Sequence, residues 1–221
     1  MTALVSAVYG GYDDPKPLPP DHGFDAAVLV TDRPAFVEGW DVVVEPRDCP
    51  PRLASKRAKC LPWLYVDDPE VLWLDASFEV LPGAGLRSVV DEHLEGSDLV
   101  AWRHPSGRVD AYEEAEFSLR VPEYQAEPLR AQTAAYEAEG LPRGSGLWEV
   151  GFHARRRTPA TLDQGAAWLD EIERWSIQDQ VSFPYACWRT GAWPSDWRAA
   201  SQWVCGWVRW HGHRGLAWWG G

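Results

Sequence analysis

Three features of the 221-residue sequence predict an α/β fold, one domain with a mostly parallel sheet flanked by helices. Short, continuous apolar runs recur along the chain, helical patterns alternate with them, and the loops between them are short and rich in glycine and proline. Runs that are apolar throughout suit strands buried on both faces, as in a sheet covered by helices on each side.

Taken in order, strands are expected over residues 3–9, 26–31, 41–45, 71–75, 98–102 and 150–154. Residues 52–64 read as a helix in which Leu53, Cys60 and Leu64 share one side, while Arg52, Lys56 and Lys59, spaced i, i+4 and i+7, form an adjacent cationic stripe. Thr158 as N-cap and Pro159 at the first helical position announce a later helix, whose Leu162, Ala166, Leu169 and Ile172 make an apolar face. A further helix is expected from Ser176, because Ser176-Ile177-Gln178-Asp179 has the capping-box form with Asp in place of Glu; Pro184 kinks it or confines it to a short first section. Residues 15–20, 81–83 and 143–146 are turn-forming loops rather than domain linkers.

Composition narrows the partners. A formal charge of −12 repels a phosphate backbone, so nucleic acid is disfavoured, except that a modified base is not excluded as an acceptor. Cys49, Cys60, Cys187 and Cys205 contain no C-x-x-C pair and read as free thiols of a reducing compartment. The first residues read as a strand rather than a signal peptide, and no apolar run reaches the length of a membrane span, so a cytoplasmic protein is expected. Tryptophan is abundant, 15 residues, and crowds residues 190–221; there it serves either core packing or a segment that closes over a site.

In an α/β sheet ligands gather at the carboxyl ends of strands. Asp13 and Asp14 follow the first expected strand, Asp32 follows the second, and Asp75 closes Val71-Leu72-Trp73-Leu74. Each alone reads as a turn residue; three such positions together point to a site for a metal or a ribose.

Several ordered motifs carry a resemblance: Val8-Tyr9-Gly10-Gly11-Tyr12-Asp13-Asp14, Val30-Thr31-Asp32, Arg52 to Lys59, Leu72-Trp73-Leu74-Asp75-Ala76-Ser77, Arg103-His104-Pro105, Tyr112-Glu113-Glu114-Ala115, Gly146-Leu147-Trp148-Glu149-Val150-Gly151 and Asp179-Gln180-Val181-Ser182-Phe183. In this order the chain resembles, over roughly residues 4 to 190, the glycosyltransferase-like family typified by plant mucilage-related (MUCI-type) proteins. That resemblance implies a GT-A-like, Rossmann-like domain and a transferase that moves a sugar from a nucleoside-diphosphate donor, such as a UDP-sugar, to an acceptor. It further implies nucleotide contacts from Tyr9, Gly10, Gly11, Tyr12 and Asp32, and diphosphate contacts from Arg52, Lys56 and Lys59. Asp75 would hold Mn²⁺ or Mg²⁺ as the first residue of an Asp-x-Asp-like motif, with the neutral Ser77 in the third place. His211 and His213 stand where glycogenin-like transferases, to which this tail is similar, complete the metal site. Asp179 and Glu149 would be the catalytic carboxylates, with His104, Glu113, Glu114 and Gln180 on the acceptor side.

Each of these readings has a plainer alternative. The cationic stripe also suits a solvated helix face, the histidines a solvated tail, and Asp179 a helix start. A non-catalytic module that binds a nucleotide sugar or carbohydrate is the competing function, and the acceptor is open among a glycan, a small molecule, a protein and a modified nucleic-acid base.

Overall fold

The computed structural model of the chain describes residues 1–198, 201–202 and 205–213. Strands β1 (Thr2–Val8), β2 (Ala26–Thr31), β3 (Asp41–Val44), β4 (Glu70–Leu74), β6 (Leu99–Arg103) and β7 (Trp148–Arg156) match the six expected ones within a few residues. With β8 (Ser195–Asp196) they form one sheet in the order β3-β2-β1-β4-β7-β6-β8. β1 pairs in parallel with β2 and β4, β2 with β3, and β6 with β8, whereas β7 runs antiparallel to β4 and β6. The result is a mostly parallel mixed sheet, Rossmann-like in its first half, flanked by helices.

Alternation along each strand explains the two covered faces. Ala3, Val5 and Ala7 of β1 pack with Ala54 and Ala58 of α1 (Pro51–Cys60), while Leu4 packs on the other face with Leu86, Val90 and Leu94 of α2 (Leu86–Leu94). α5 (Pro159–Arg174) and α6 (Asp179–Thr190) pack against the start of β7 through Trp168, Leu169, Phe183 and Ala186. α3 (Ala111–Ser118) and α4 (Leu129–Glu139) add an outer layer against α6. A small second sheet joins β5 (Phe78–Val80) to β9 (Val208–Trp210) in antiparallel register.

Two helix boundaries differ from expectation. α1 ends at Cys60 and a separate 3-10 turn follows at Pro62–Leu64, because Pro62 offers no N–H and disfavours helical backbone at Leu61. α6 begins at Asp179, not Ser176: Ser176 Oγ donates instead to Gln132 Oε1 at 2.7 Å, and Gln178 is the N-cap, its side chain making no bond to the helix end. The helix runs through Pro184 to Thr190. The cap at Thr158 is as expected, its hydroxyl accepting from Thr161 N. No helix of the described residues is long and apolar enough to cross a membrane. Residues 199–200, 203–204 and 214–221, with Trp203, Trp218 and Trp219 of the Trp-rich segment, lie outside the described residues.

The close crossing of α1 and α5 depends on Gly165, where an added Cβ would lie 2.2 Å from the Cys60 carbonyl oxygen. Backbone cannot yield as a flexible side chain does, so Gly165→Ala must push the helices apart. Helix propensity alone would favour Ala by about 1 kcal/mol, yet a net loss of about 2 kcal/mol is expected. Urea unfolding checks this; an unchanged or higher midpoint would contradict it.

Candidate functional site

β1 has β2 on one side and β4 on the other, so the chain order reverses beside it and the loops leaving β1 and β4 part to form a crevice. The first loop is tight because Gly10 and Gly11 adopt φ of 62° and 67°, and a Cβ on Gly10 would come 2.7 Å from Pro51 Cγ. Asp32 Oδ2 accepts from Gly10 N at 2.9 Å and holds this loop from the neighbouring strand end. After β4, Asp75 N donates to Gly151 O at 2.8 Å. Gly151 is needed there, since a Cβ would stand 2.9 Å from Asp75 Oδ2.

A cavity of about 230 Å³ opens at this crevice. Tyr12 of the first loop, Arg52, Lys56 and Lys59 of α1, and Asp75 and Ser77 after β4 line one part of it. His104, Glu149, Asp179 and Gln180 line another, and Trp210 and His213 reach it from the C-terminal segment. A second cavity, of about 460 Å³, adjoins the ends of β1 and β2 and is lined by Gly11, Asp13, Thr31, Arg33 and Phe36.

On the cleft wall two lysines and two aspartates form a compact quartet. Asp179 Oδ2 lies 2.6 Å from Lys56 Nζ and 2.7 Å from Lys59 Nζ, and Lys59 Nζ also reaches Asp75 Oδ1 at 3.2 Å. Trp73 Nε1 donates to the same Asp75 oxygen at 2.7 Å. The two lysines of the stripe are therefore ion-paired rather than solvated: the Lys59 side chain is 3% exposed and that of Lys56 13%. Burial by itself would raise the Asp179 carboxyl, but the two ammonium groups outweigh it and hold it well below the usual carboxylate range. The lysines move in opposite directions. Burial depresses both, yet Lys59, with two carboxylates, ends above the ordinary lysine range, while Lys56, with one, ends below it.

Around the quartet, other polar groups are fixed by one another. Arg52 donates to Tyr124 Oη at 2.7 Å, pairs with Glu123 at 3.3 Å and stacks over the Tyr12 and Tyr124 rings. Glu114 is buried, pairs with Arg108 at 2.5 Å and accepts from Gln178 Nε2 at 3.1 Å. Arg108 Nη2 lies 3.2 Å from His104 Nε2, and His104 Nδ1 lies 2.8 Å from Ser106 Oγ and accepts from Ser106 N at 3.3 Å. Burial, reinforced by the Arg108 charge, lowers His104 to about 4, which leaves it neutral at physiological pH.

Tyr9, expected at the nucleotide, is instead a core residue, 3% exposed in the cluster under α1, with its hydroxyl raised to about 12 by burial and by Glu45. Glu113 faces away from the cleft, accepting from Val109 N at 2.9 Å. His211 pairs with Glu79 at 2.8 Å, and His213 Nδ1 lies 2.7 Å from Asp13. The described part of the Trp-rich segment does reach the cleft, because β9 pairs with β5 and His211 N donates to Ser77 O at 2.9 Å. Ser77 Oγ is buried with no hydrogen-bond partner among the described residues. Among the described residues, no group of three or more His, Cys, Asp or Glu side chains converges in a way that could hold a metal. Of the residues that the resemblance gives to Mn²⁺ or Mg²⁺, Asp75, Ser77 and His213 line the cleft, whereas His211 pairs with Glu79.

Arg108 and Tyr124 belong to none of the motifs singled out above, and Gln178 enters there only as part of a helix cap. They lie in segments whose partners are distant in the chain, and only Gln178, adjacent to Asp179, carried a local hint. No protein-family model and no curated protein matches the chain.

Proposed function

We propose that the protein transfers a sugar from a nucleoside-diphosphate donor to an acceptor, on a GT-A-like domain. The observation that carries this reading is convergence: motifs spread from Tyr12 to Gln180 line one cleft at the switch point of the sheet. The nucleoside occupies the cavity at the ends of β1 and β2, where Thr31 and Arg33 offer polar contacts and Phe36 an apolar ring. The diphosphate extends towards Arg52 and Lys56, whose charges stabilise the departing nucleoside diphosphate as the sugar bond breaks. The sugar lies near Asp179, and the acceptor hydroxyl enters from the side of His104, Gln180 and Glu149, with Glu149 as the proton acceptor if the transfer inverts. His104 takes no proton in this scheme, because burial and the Arg108 charge lower its basicity. We place the protein in the cytoplasm, in keeping with its four free cysteines.

Thermal-shift measurements with a panel of nucleoside diphosphates and their sugars test the reading. A donor at about 100 times its Kd is expected to add about 2.7 kcal/mol of apparent stability, and its hydrolysis or transfer should release the nucleoside diphosphate. No shift with any member of the panel at saturating concentration would refute it. Binding without turnover on any acceptor would instead favour the non-catalytic module, in which the ion-paired Asp179 serves only to shape the cleft.

A further inference from the structure

Resting on the nucleotide-sugar reading, we propose that the cleft binds its diphosphate ligand without a divalent cation, because the ammonium of Lys59 stands where the metal would be needed. Much of the donor set is already engaged. Asp75 Oδ1 takes both Lys59 and Trp73. Asp179 Oδ2 takes both lysines. His211 and His213 are held by Glu79 and Asp13, and the third place of the motif offers only the neutral hydroxyl of Ser77. A hard divalent ion seeks several carboxylate or water oxygens, and one hydroxyl does not replace a second carboxylate.

Lys59 cannot step aside at little cost. Its ammonium lies 5.9 Å from the centres of both the Trp73 and Trp168 rings, and its backbone carbonyl is tied down by Arg155. A divalent ion on Asp75 would either share the carboxylate with this ammonium, like charge against like charge, or drive the ammonium into an aromatic wall. The lysine is therefore a built-in counterion for both aspartates. Lys56 plays the complementary part: among the described residues its one carboxylate partner is Asp179, and Asp179 keeps Lys59 if Lys56 leaves. On arrival of a diphosphate, Lys56 turns from Asp179 to the phosphate oxygens beside Arg52, while Lys59 and the two aspartates stay as they are. No bond is made or broken in this step, only an ion pair exchanged.

Mn²⁺ alone gives the first test. Titrated into the full chain and followed by the electron paramagnetic resonance of free Mn²⁺, it should show no tight site, and it should not raise the Tm of the parent protein. In Lys59→Met the two carboxylates lose their shared ammonium, so Mn²⁺ should raise the Tm of that variant. The second test is calorimetric titration with UDP, ADP and GDP, in EDTA and in excess Mn²⁺. Affinity for the preferred nucleotide should agree within about twofold between the two conditions, and Lys56→Met should weaken it by about tenfold or more in both. If Lys59→Met does not fold, the parent titrations still decide. One Mn²⁺ bound per chain and lost in Asp75→Asn, or nucleotide binding that appears only with Mn²⁺, overturns the proposal while leaving the nucleotide-sugar reading standing. A chain that binds none of the nucleotides in either condition refutes that reading and this proposal with it.

Discussion

Asp179→Ala is expected to destabilise the protein by about 3–5 kcal/mol, the cost typical of removing one partner from a buried ion pair. The reason is specific to this position: Lys56 would lose its carboxylate altogether and Lys59 its nearer one, leaving two buried ammonium groups to share Asp75, which lies 3.2 Å from Lys59. Asp179→Asn keeps the shape and one acceptor oxygen but not the charge, so it should fall between parent and alanine variant. Chemical denaturation at neutral pH measures both, and a loss under about 1 kcal/mol in Asp179→Ala would show that the quartet contributes little. The pH dependence has a definite sign. The folded-state pKa of Asp179 is depressed, so its contribution is present above the ordinary carboxylate value and is lost as the pH falls below about 4 towards the lower folded value. The difference between parent and variant should therefore be constant around neutrality and shrink in acid; a difference that grows in acid would contradict the pairing.

Arg155→Met is expected to cost about 2–4 kcal/mol, chiefly by orphaning backbone carbonyls rather than by breaking a salt bridge. Arg155 is 1% exposed and, among the described residues, has no carboxylate partner in an ion pair; its guanidinium donates to Cys60 O at 2.9 Å and to Lys59 O, at the C-terminal end of α1, and stacks over Trp63. Burial lowers it to about 10, so it remains a cation at neutral pH, favourably placed at the negative end of the helix. Replacing a buried charge with an apolar chain recovers desolvation energy, and this can offset a lost ion pair. Here the recovery is incomplete, because two carbonyl groups lose their donor in the same buried space. Since one of them belongs to Lys59, the variant should also bind nucleotides more weakly at temperatures where it is fully folded. Urea unfolding and calorimetry check the two effects, and a loss below about 1 kcal/mol would mean that the carbonyls find other partners.

Much of the scaffold was legible in the sequence for physical reasons that act locally. Val71-Leu72-Trp73-Leu74 is apolar on both faces, which suits a central strand, and Asp75 then ends it at the crevice. Thr158 and Pro159 start α5 because a hydroxyl cap and a fixed φ satisfy the first turn without outside help. The same local logic misled at Ser176, whose hydroxyl found a buried partner in Gln132 in place of its own helix end.

The sequence by itself determined the α/β class, the six main strands, the cap of α5 and the positions of the charged and acidic residues that border the cleft, all of which follow from periodicity and turn chemistry within short windows. The tertiary structure alone decided who pairs with whom. Lys56 meets Asp179 across 123 residues, His213 meets Asp13 across 200, and the three-residue β9 becomes a strand only because β5 is there to receive it. Such partners are chosen by the order of strands and the crossing of helices, which leave no local period to read. They turned a stripe of cations into a neutralised quartet, because burial in a low-dielectric cleft forces each charge to find its counterion.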